Sequence, residues 1–238
     1  MTTTASVSWL VTGTSRGIGL ELVRQLAASP ANLVIATCRT PDNAAALQAL
    51  KDTAKGTLHI LQLDTSDKAS MDAIAAPLAE ILGTQGLDYL INNAAISSGD
   101  DRAYSFDYDE FMSTLQTNVV GPAYLAQVLV KFIERSNKKT IINYTSGLAS
   151  IGLDFGAKTA TYSVSKHAVN MLTYKQRYAR PDFIYITVDP GWVKTDMGGS
   201  NAHLEPHESV SAVLKIVAGL KHSDSGKFYR YDGVVLPW

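Results

Sequence analysis

Tyr162 and Lys166 stand four residues apart in "TYSVSKHAVNML", where Val164, Ala168 and Leu172 recur with helical spacing, so both side chains project from one helix face. A free phenol titrates at about 10, too high for easy proton exchange near neutrality. An ammonium held nearby favours the phenolate and lowers that value, which turns the pair into a general acid and base. Random placement of 11 tyrosines and 13 lysines over 238 residues yields about 0.6 such pairs, so the spacing draws its meaning from context. The context is the strand-like "IINYTSGLAS", whose end presents Ser146 as a hydroxyl donor. Ser146 precedes Tyr162 by 16 residues, and Ser150, 12 residues before it, is a rival for the same role. Ser146 is preferred because it directly ends the strand.

These groups need a scaffold, and the chain supplies an alternating one. β-Branched runs at Val7 to Thr12, Leu33 to Thr37, Leu58 to Leu63, Tyr89 to Asn92, Thr140 to Thr145 and Phe183 to Val188 read as strands, and "GKFYRYDG" as a last one. Between them lie segments of helical period. Gly19 to Ala28 spaces Leu20, Val23 and Ala27 on one face before Pro30; Asp67 to Leu82 opens on an Asp cap and carries Met71, Ile74, Leu78 and Ile81. The alternation predicts an α/β fold, a Rossmann-like doubly wound parallel sheet of about seven strands with helices on both faces. With 46% apolar residues and no linker-like segment, residues 1–238 read as a single domain.

In such a sheet ligands collect at the carboxyl ends of the strands, and the first strand-to-helix turn is where a pyrophosphate meets free N–H groups. "TGTSRGIG" occupies that turn. Its spacing fails the common dinucleotide fingerprint, which would need Gly or Ala at Leu22, and it lacks the Gly-Lys-Ser/Thr of a Walker loop. Gly13 and Gly19 still offer a backbone approach that a Cβ would block. The second strand ends in "ATCRT", with Arg39 where an NAD-binding site would place a carboxylate, and Arg16 lies inside the glycine loop. Two guanidinium groups suit the 2′-phosphate of NADP(H) rather than a ribose hydroxyl. If a hydride reaches a carbonyl carbon from a nicotinamide, charge develops on oxygen, and Ser146 and Tyr162 supply the hydrogen bond and the proton.

Composition narrows the partners. A net charge of −1 with scattered cations carries no footprint of nucleic-acid binding, and nothing suggests attraction to a membrane surface. No run approaches the roughly 18 apolar residues of a spanning helix, and "MTTTASVS" has no signal-peptide character. One cysteine, Cys38, fits a reducing compartment, so a cytoplasmic location is expected. No metal is expected: His203 and His207 have helical ligand spacing, but Pro206 between them reads as the start of a new helix. Tyr174 and Tyr178 share a helix face of the kind that fills a core or a subunit contact.

"TGTSRGIG", "NNAA", "QTNVVG", "TSG", "YSVSK" and "DPGWVKTDMGG" occur in this order, and together they resemble a short-chain dehydrogenase/reductase over essentially the whole chain. "ATCR", "PGWVKTDMGG" and "GKFYRYDGVVLPW" are similar to its carbonyl-reductase branch, with sniffer-like enzymes, C-signal-like proteins and fungal norsolorinic-acid-type ketoreductases; Asp189 before Pro190 resembles the last of these. The resemblance implies NADPH-dependent reduction of a small-molecule ketone or aldehyde. It implies that Gly13, Ser15, Arg16, Ile18 and Gly19 line the diphosphate loop, that Asp64 meets the adenine and Asn93 the ribose, and that Val193 and Thr195 fix the carboxamide. Asn118 would bend a long helix and hold a water leading to Lys166, completing a set with Ser146 and Tyr162. Lys166 would also bind the nicotinamide ribose.

Ala95 stands where the family often has Gly, which is tolerable at a negative φ. "LDFGAKTA" reads as a small insertion over the pocket mouth that brings Phe155 to the substrate, and the short "GGSNAHLEP" as a small lid that leaves room for a bulky or aromatic ketone. The helices carrying Asn118 and Tyr162 often form subunit interfaces in this family, so a homo-oligomer, dimer or tetramer, is expected. Two other functions use the same fold: a nucleotide-binding regulatory or signalling protein, and an NAD-linked alcohol dehydrogenase.

Overall fold

The computed structural model describes residues 6–238. Seven strands form one sheet: β1 (Val7–Thr12), β2 (Asn32–Cys38), β3 (Thr57–Gln62), β4 (Tyr89–Asn92), β5 (Thr140–Tyr144), β6 (Ile184–Asp189) and β7 (Phe228–Arg230). They lie in the order β3-β2-β1-β4-β5-β6-β7, and every neighbouring pair is parallel. This is the Rossmann-like doubly wound sheet that the alternation predicts.

The inner strands read as near-continuous apolar runs because their two faces feed two cores. Trp9, Val11, Val34 and Ala36 point to one side, under α1 (Gly17–Ala27) and α8 (Pro206–Gly219). Leu10, Ile35, Leu90 and Ile141 point to the other, under α3 (Lys68–Ala73), α4 (Ala75–Leu82) and α6 (Gly121–Ile133). The remaining helices are the short α2 (Ala45–Gln48), then α5 (Tyr108–Leu115) and α7 (Ala160–Ala179).

Two helical segments are interrupted, and proline chemistry explains both. The segment 67–82 is capped by Asp67, which accepts from Ala69 N–H at 3.1 Å and Ser70 N–H at 3.2 Å, but it divides into α3 and α4 at Ile74. Pro77 has no N–H for the Ala73 carbonyl four residues before it. Likewise Pro122 has none for the Asn118 carbonyl, and α5 passes into α6 through a π-helical turn, Gln116–Val120. The bend expected at Asn118 is this turn.

The order reverses between β1 and β4. Crossovers leave that point on opposite faces, and the crevice so opened lies beyond the carboxyl ends of β1 and β4.

Candidate active site

A cleft of about 310 Å³ opens at this switch point. It gathers Gly13, Ser15, Arg16, Ile18 and Gly19 from the first turn, Arg39 from the end of β2, Asp64 after β3, Asn93 after β4, Tyr162 and Lys166 from α7, and Thr195. Residues nominated from six separated stretches therefore line one space.

The glycine turn is shaped as a cradle. Gly13 has φ +70°, and a Cβ there would stand 2.8 Å from Ala94 Cα; one on Gly19 would stand 2.1 Å from the Gly13 carbonyl oxygen. Asn93 fastens the turn from the next strand, its Nδ2 donating to the carbonyls of Thr12 at 2.8 Å and Gly13 at 3.2 Å. Arg16, the residue before α1, makes no side-chain cap, so the first-turn amides of α1 keep their capacity for an anion. Gly13, Gly19 and these amides fit a dinucleotide diphosphate. Ala95 keeps φ out of the left-handed region, as its methyl requires.

The two arginines differ. Arg39 is exposed and, among the described residues, has no hydrogen-bond or ion-pair partner. Arg16 Nη1 already meets Asp196 Oδ2 at 2.9 Å, with both side chains more than 70% exposed, so the pair spans the cleft mouth from the glycine turn to the segment after β6. Asp64 is also occupied locally, accepting from Ser66 N–H at 2.9 Å and Ser66 Oγ–H at 2.6 Å. Val193 does not line the cleft. It is buried, and pairs with Leu204 in an isolated bridge.

Lys166 is 2% exposed, and its Nζ donates to the Tyr144 carbonyl at 2.9 Å. Burial pulls its pKa down to about 8. Its Nζ lies 5.6 Å from the centre of the Tyr162 ring. The expected lowering of the Tyr162 pKa does not occur in this structure. Burial pushes the phenol up, and the charge of Asp189 adds to the rise. Desolvation of the phenolate outweighs an ammonium that is itself desolvated and turned toward a carbonyl. Asp189 is in turn raised by burial, a rise moderated by hydrogen bonds from the Gly191 and Gly147 amides.

Ser146 and Ser150 separate by their hydrogen bonds. Ser146 Oγ accepts from Leu148 N–H at 3.2 Å, which leaves its own hydrogen free. Ser150 Oγ donates to the Pro237 carbonyl at 2.7 Å and is buried. Gly152 N–H reaches the Trp238 carbonyl at 3.4 Å, so residues 237 and 238 brace the loop that follows β5. Phe155, 54% exposed, and Asp189 both approach Gly147: a Cβ on Gly147 would be 3.3 Å from the Phe155 ring and 3.1 Å from Asp189 Oδ2.

Asn118 is buried, and its side chain is committed to structure. Oδ1 accepts from Ile96 N–H at 2.9 Å; Nδ2 donates to the Ile96 carbonyl at 2.9 Å and to Ser165 Oγ at 3.0 Å. Ser165 Oγ in turn donates to the Tyr162 carbonyl at 2.7 Å. Asn118 thus ties the π-helical turn to α7, and any water beside it must use its remaining acceptor capacity rather than its amide hydrogens. Ser165 carries no sequence signal beyond its place inside the "YSVSK" motif. Among the described residues, no group of three or more His, Cys, Asp or Glu side chains is placed to hold a metal ion. His203 packs edge-on against Trp192 at 4.9 Å, and α8 begins at Pro206.

The family model for short chain dehydrogenases matches residues 8–205. Over its full length the chain is 31% identical to the full length of an uncharacterized oxidoreductase of Schizosaccharomyces pombe. It is 29% identical to the norsolorinic acid ketoreductase of Aspergillus parasiticus, over 97% of this chain and 90% of that one. Among solved structures, carbonyl reductase Sniffer of D. melanogaster superposes with a TM-score of 0.92 at 32% identity, covering 98% of this chain and 100% of that one. An NADPH-bound carbonyl reductase from chicken fatty liver also gives 0.92, at 34% identity, over 99% of this chain and 100% of that one. The parallel sheet, the glycine cradle at its switch point and the Tyr162–Lys166 pair beside it agree with these matches, and the chain belongs to the short-chain dehydrogenase family of oxidoreductases.

Proposed function

We propose that the chain is one NADPH-dependent ketoreductase domain that reduces a ketone or aldehyde to an alcohol. The observation that carries this reading is the convergence of the glycine cradle, Arg39, Tyr162 and Lys166 on one cleft. NADPH, when bound, supplies the hydride. Gly13, Ser15, Ile18 and Gly19 hold its diphosphate, Arg39 with Arg16 its 2′-phosphate, and Asn93, Lys166, Thr195 and the main chain at Val193 its nicotinamide half, with Asp64 beside the adenine.

The chain's own groups handle the carbonyl oxygen. Ser146 donates its free hydrogen to that oxygen, and Tyr162 donates the phenolic proton as charge develops there. A phenol held up by burial and by Asp189 remains protonated at neutral pH, which suits it to donate in the reductive direction. The Lys166 ammonium favours the phenolate left behind, and Asn118, through Ser165, keeps the turn bearing Tyr162 in place. Solvent returns the proton along Lys166 and a water held near Asn118. The neighbourhood of Phe155, with exposed Trp192 and Met197 after β6, favours a bulky or aromatic ketone.

No helix among the described residues is long and apolar enough to cross a membrane. The single buried thiol, Cys38, supports a cytoplasmic setting. Exposed Tyr108 and Met112 on α5 and Met171, Tyr174 and Tyr178 on α7 support a homo-oligomer built on these helices. Tyr162→Phe decides the mechanism. NADPH oxidation against aliphatic, aryl and polycyclic ketones should be nearly abolished while NADPH still binds; retained turnover would refute it.

A further inference from the structure

The helix that carries Tyr162 and Lys166 begins without a cap of its own. Thr159, the residue before α7, sits at φ 53° in the left-handed region, and its side chain bonds no first-turn amide. The acceptor comes instead from sixty residues upstream. Asp101 Oδ1 accepts from Thr161 N–H at 3.2 Å, and Asp101 Oδ2 accepts from Thr161 Oγ–H. A carboxylate is the group that the positive end of a helix favours. Its neighbour Asp100 is taken by Arg102, and Gly99, at φ 91°, turns the chain into this acidic pair.

Asp101 belongs to the loop between β4 and α5, whose first residues Ala94, Ala95 and Ile96 line the cleft. That loop is pinned to β1 through Ala94 and to α5 through Ser98, and two further anchors reach the catalytic side. Ile96 is held by the Asn118 side chain on the π-helical turn, and Asp101 is held by Thr161 on α7. Tyr162 follows Thr161 directly, inside the frayable first turn of α7. Lys166 lies a full turn deeper and is anchored independently on the Tyr144 carbonyl.

We infer that Asp101 is a positioning residue for this reaction: it is the N-cap of α7 lent by the cleft-lining loop, and it holds the turn bearing Tyr162 in its working place while that loop is docked. The inference rests on Tyr162 being the proton donor. It locates the effect in turnover rather than in cofactor binding, because the cap touches the turn of Tyr162 and not the glycine cradle.

The test compares Asp101→Ala, Asp101→Asn, Thr161→Val and Tyr162→Phe in the full chain. The measurements are kcat and KM, NADPH affinity by fluorescence titration, and hydrogen exchange of the amides of residues 161–163. Asp101→Ala should lower kcat by about five- to thirtyfold and lower protection at those amides by a similar factor, with NADPH affinity held within about twofold. Asp101→Asn keeps an acceptor oxygen for Thr161 N–H and should recover turnover to within about threefold of the parent. Thr161→Val removes only the hydroxyl bond and should give a smaller loss of the same kind, a readout that stands even if Asp101→Ala yields no folded protein. Parental kcat and protection in Asp101→Ala, or an Asn variant as impaired as the Ala one, would overturn the inference. Turnover retained in Tyr162→Phe would instead refute the ketoreductase mechanism, and the exchange data would still decide whether Asp101 caps α7.

Discussion

The choice between NADPH and NADH should depend unequally on the two arginines. Arg39 is exposed and has no partner among the described residues, so a 2′-phosphate would gain its guanidinium without breaking any protein contact. A charge-assisted fork on phosphate that is lost on Arg39→Ala should weaken NADPH binding by about ten- to a hundredfold and leave NADH binding nearly unchanged. Arg16 is already engaged by Asp196 at 2.9 Å, so part of its attraction for the phosphate is spent on releasing that carboxylate. An exposed pair of this kind is worth only about a twofold to fivefold factor. Asp196→Ala should therefore tighten NADPH by about that factor, and Arg16→Ala should cost less than Arg39→Ala. Titrating both nucleotides by fluorescence at two ionic strengths checks the argument, because the Arg39 contribution should shrink with salt. Equal losses for NADPH and NADH in Arg39→Ala, or weaker NADPH binding in Asp196→Ala, would refute it.

Three further outcomes follow from close contacts and burial. Gly19→Ala would place a Cβ 2.1 Å from the Gly13 carbonyl and 2.7 Å from Asn93 Nδ2, so thermal unfolding should fall by about 3–10 °C and NADPH binding should be lost; an unchanged midpoint with intact binding would contradict the cradle geometry. Lys166, pulled down to about 8 by burial from the ordinary 10.5, is charged in the unfolded chain and increasingly neutral in the folded one between those values. The unfolded chain therefore binds more protons in that window, and stability attributable to Lys166 rises from about pH 8 to about pH 10.5, by about 3 kcal/mol in all. Denaturant titrations of the parent and Lys166→Met across this range measure the rise, which the Met variant should lack. Reductive turnover should decline over the same lower limit, as the ammonium is lost.

The inner strands were legible because burial on both faces makes them compact apolar runs, and Val7 to Thr12 and Tyr89 to Asn92 coincide with β1 and β4 to the residue. The segment 67–82 reads as one helix because Met71, Ile74, Leu78 and Ile81 stay in phase across the break that Pro77 imposes. The Tyr162–Lys166 pair was legible from spacing along a single helix. Its electrostatics was not, since the sign of the Tyr162 shift depends on burial and on Asp189, which reaches it only once β6 lies beside β5. The Arg16–Asp196 pair, the Tyr144 carbonyl under Lys166 and the Asp101 cap are likewise contacts between distant segments, and none leaves a local pattern. Position at the strand end favours Ser146 over Ser150 in the sequence, but the destination of each hydroxyl hydrogen is visible only with Pro237 in place.

That last contact has a consequence for how selectivity can change. Ser150 and Gly152 bind the carbonyls of residues 237 and 238, and Leu236, buried beside them, donates to the Phe228 carbonyl at 2.7 Å. The wall behind Ser146 and Phe155 is thus shared by two stretches 87 residues apart along the chain at their point of contact. A substitution in either one alters the footing of the other, so new substrate preferences in this scaffold require paired changes, and a loop transplanted without its matching tail arrives without its support.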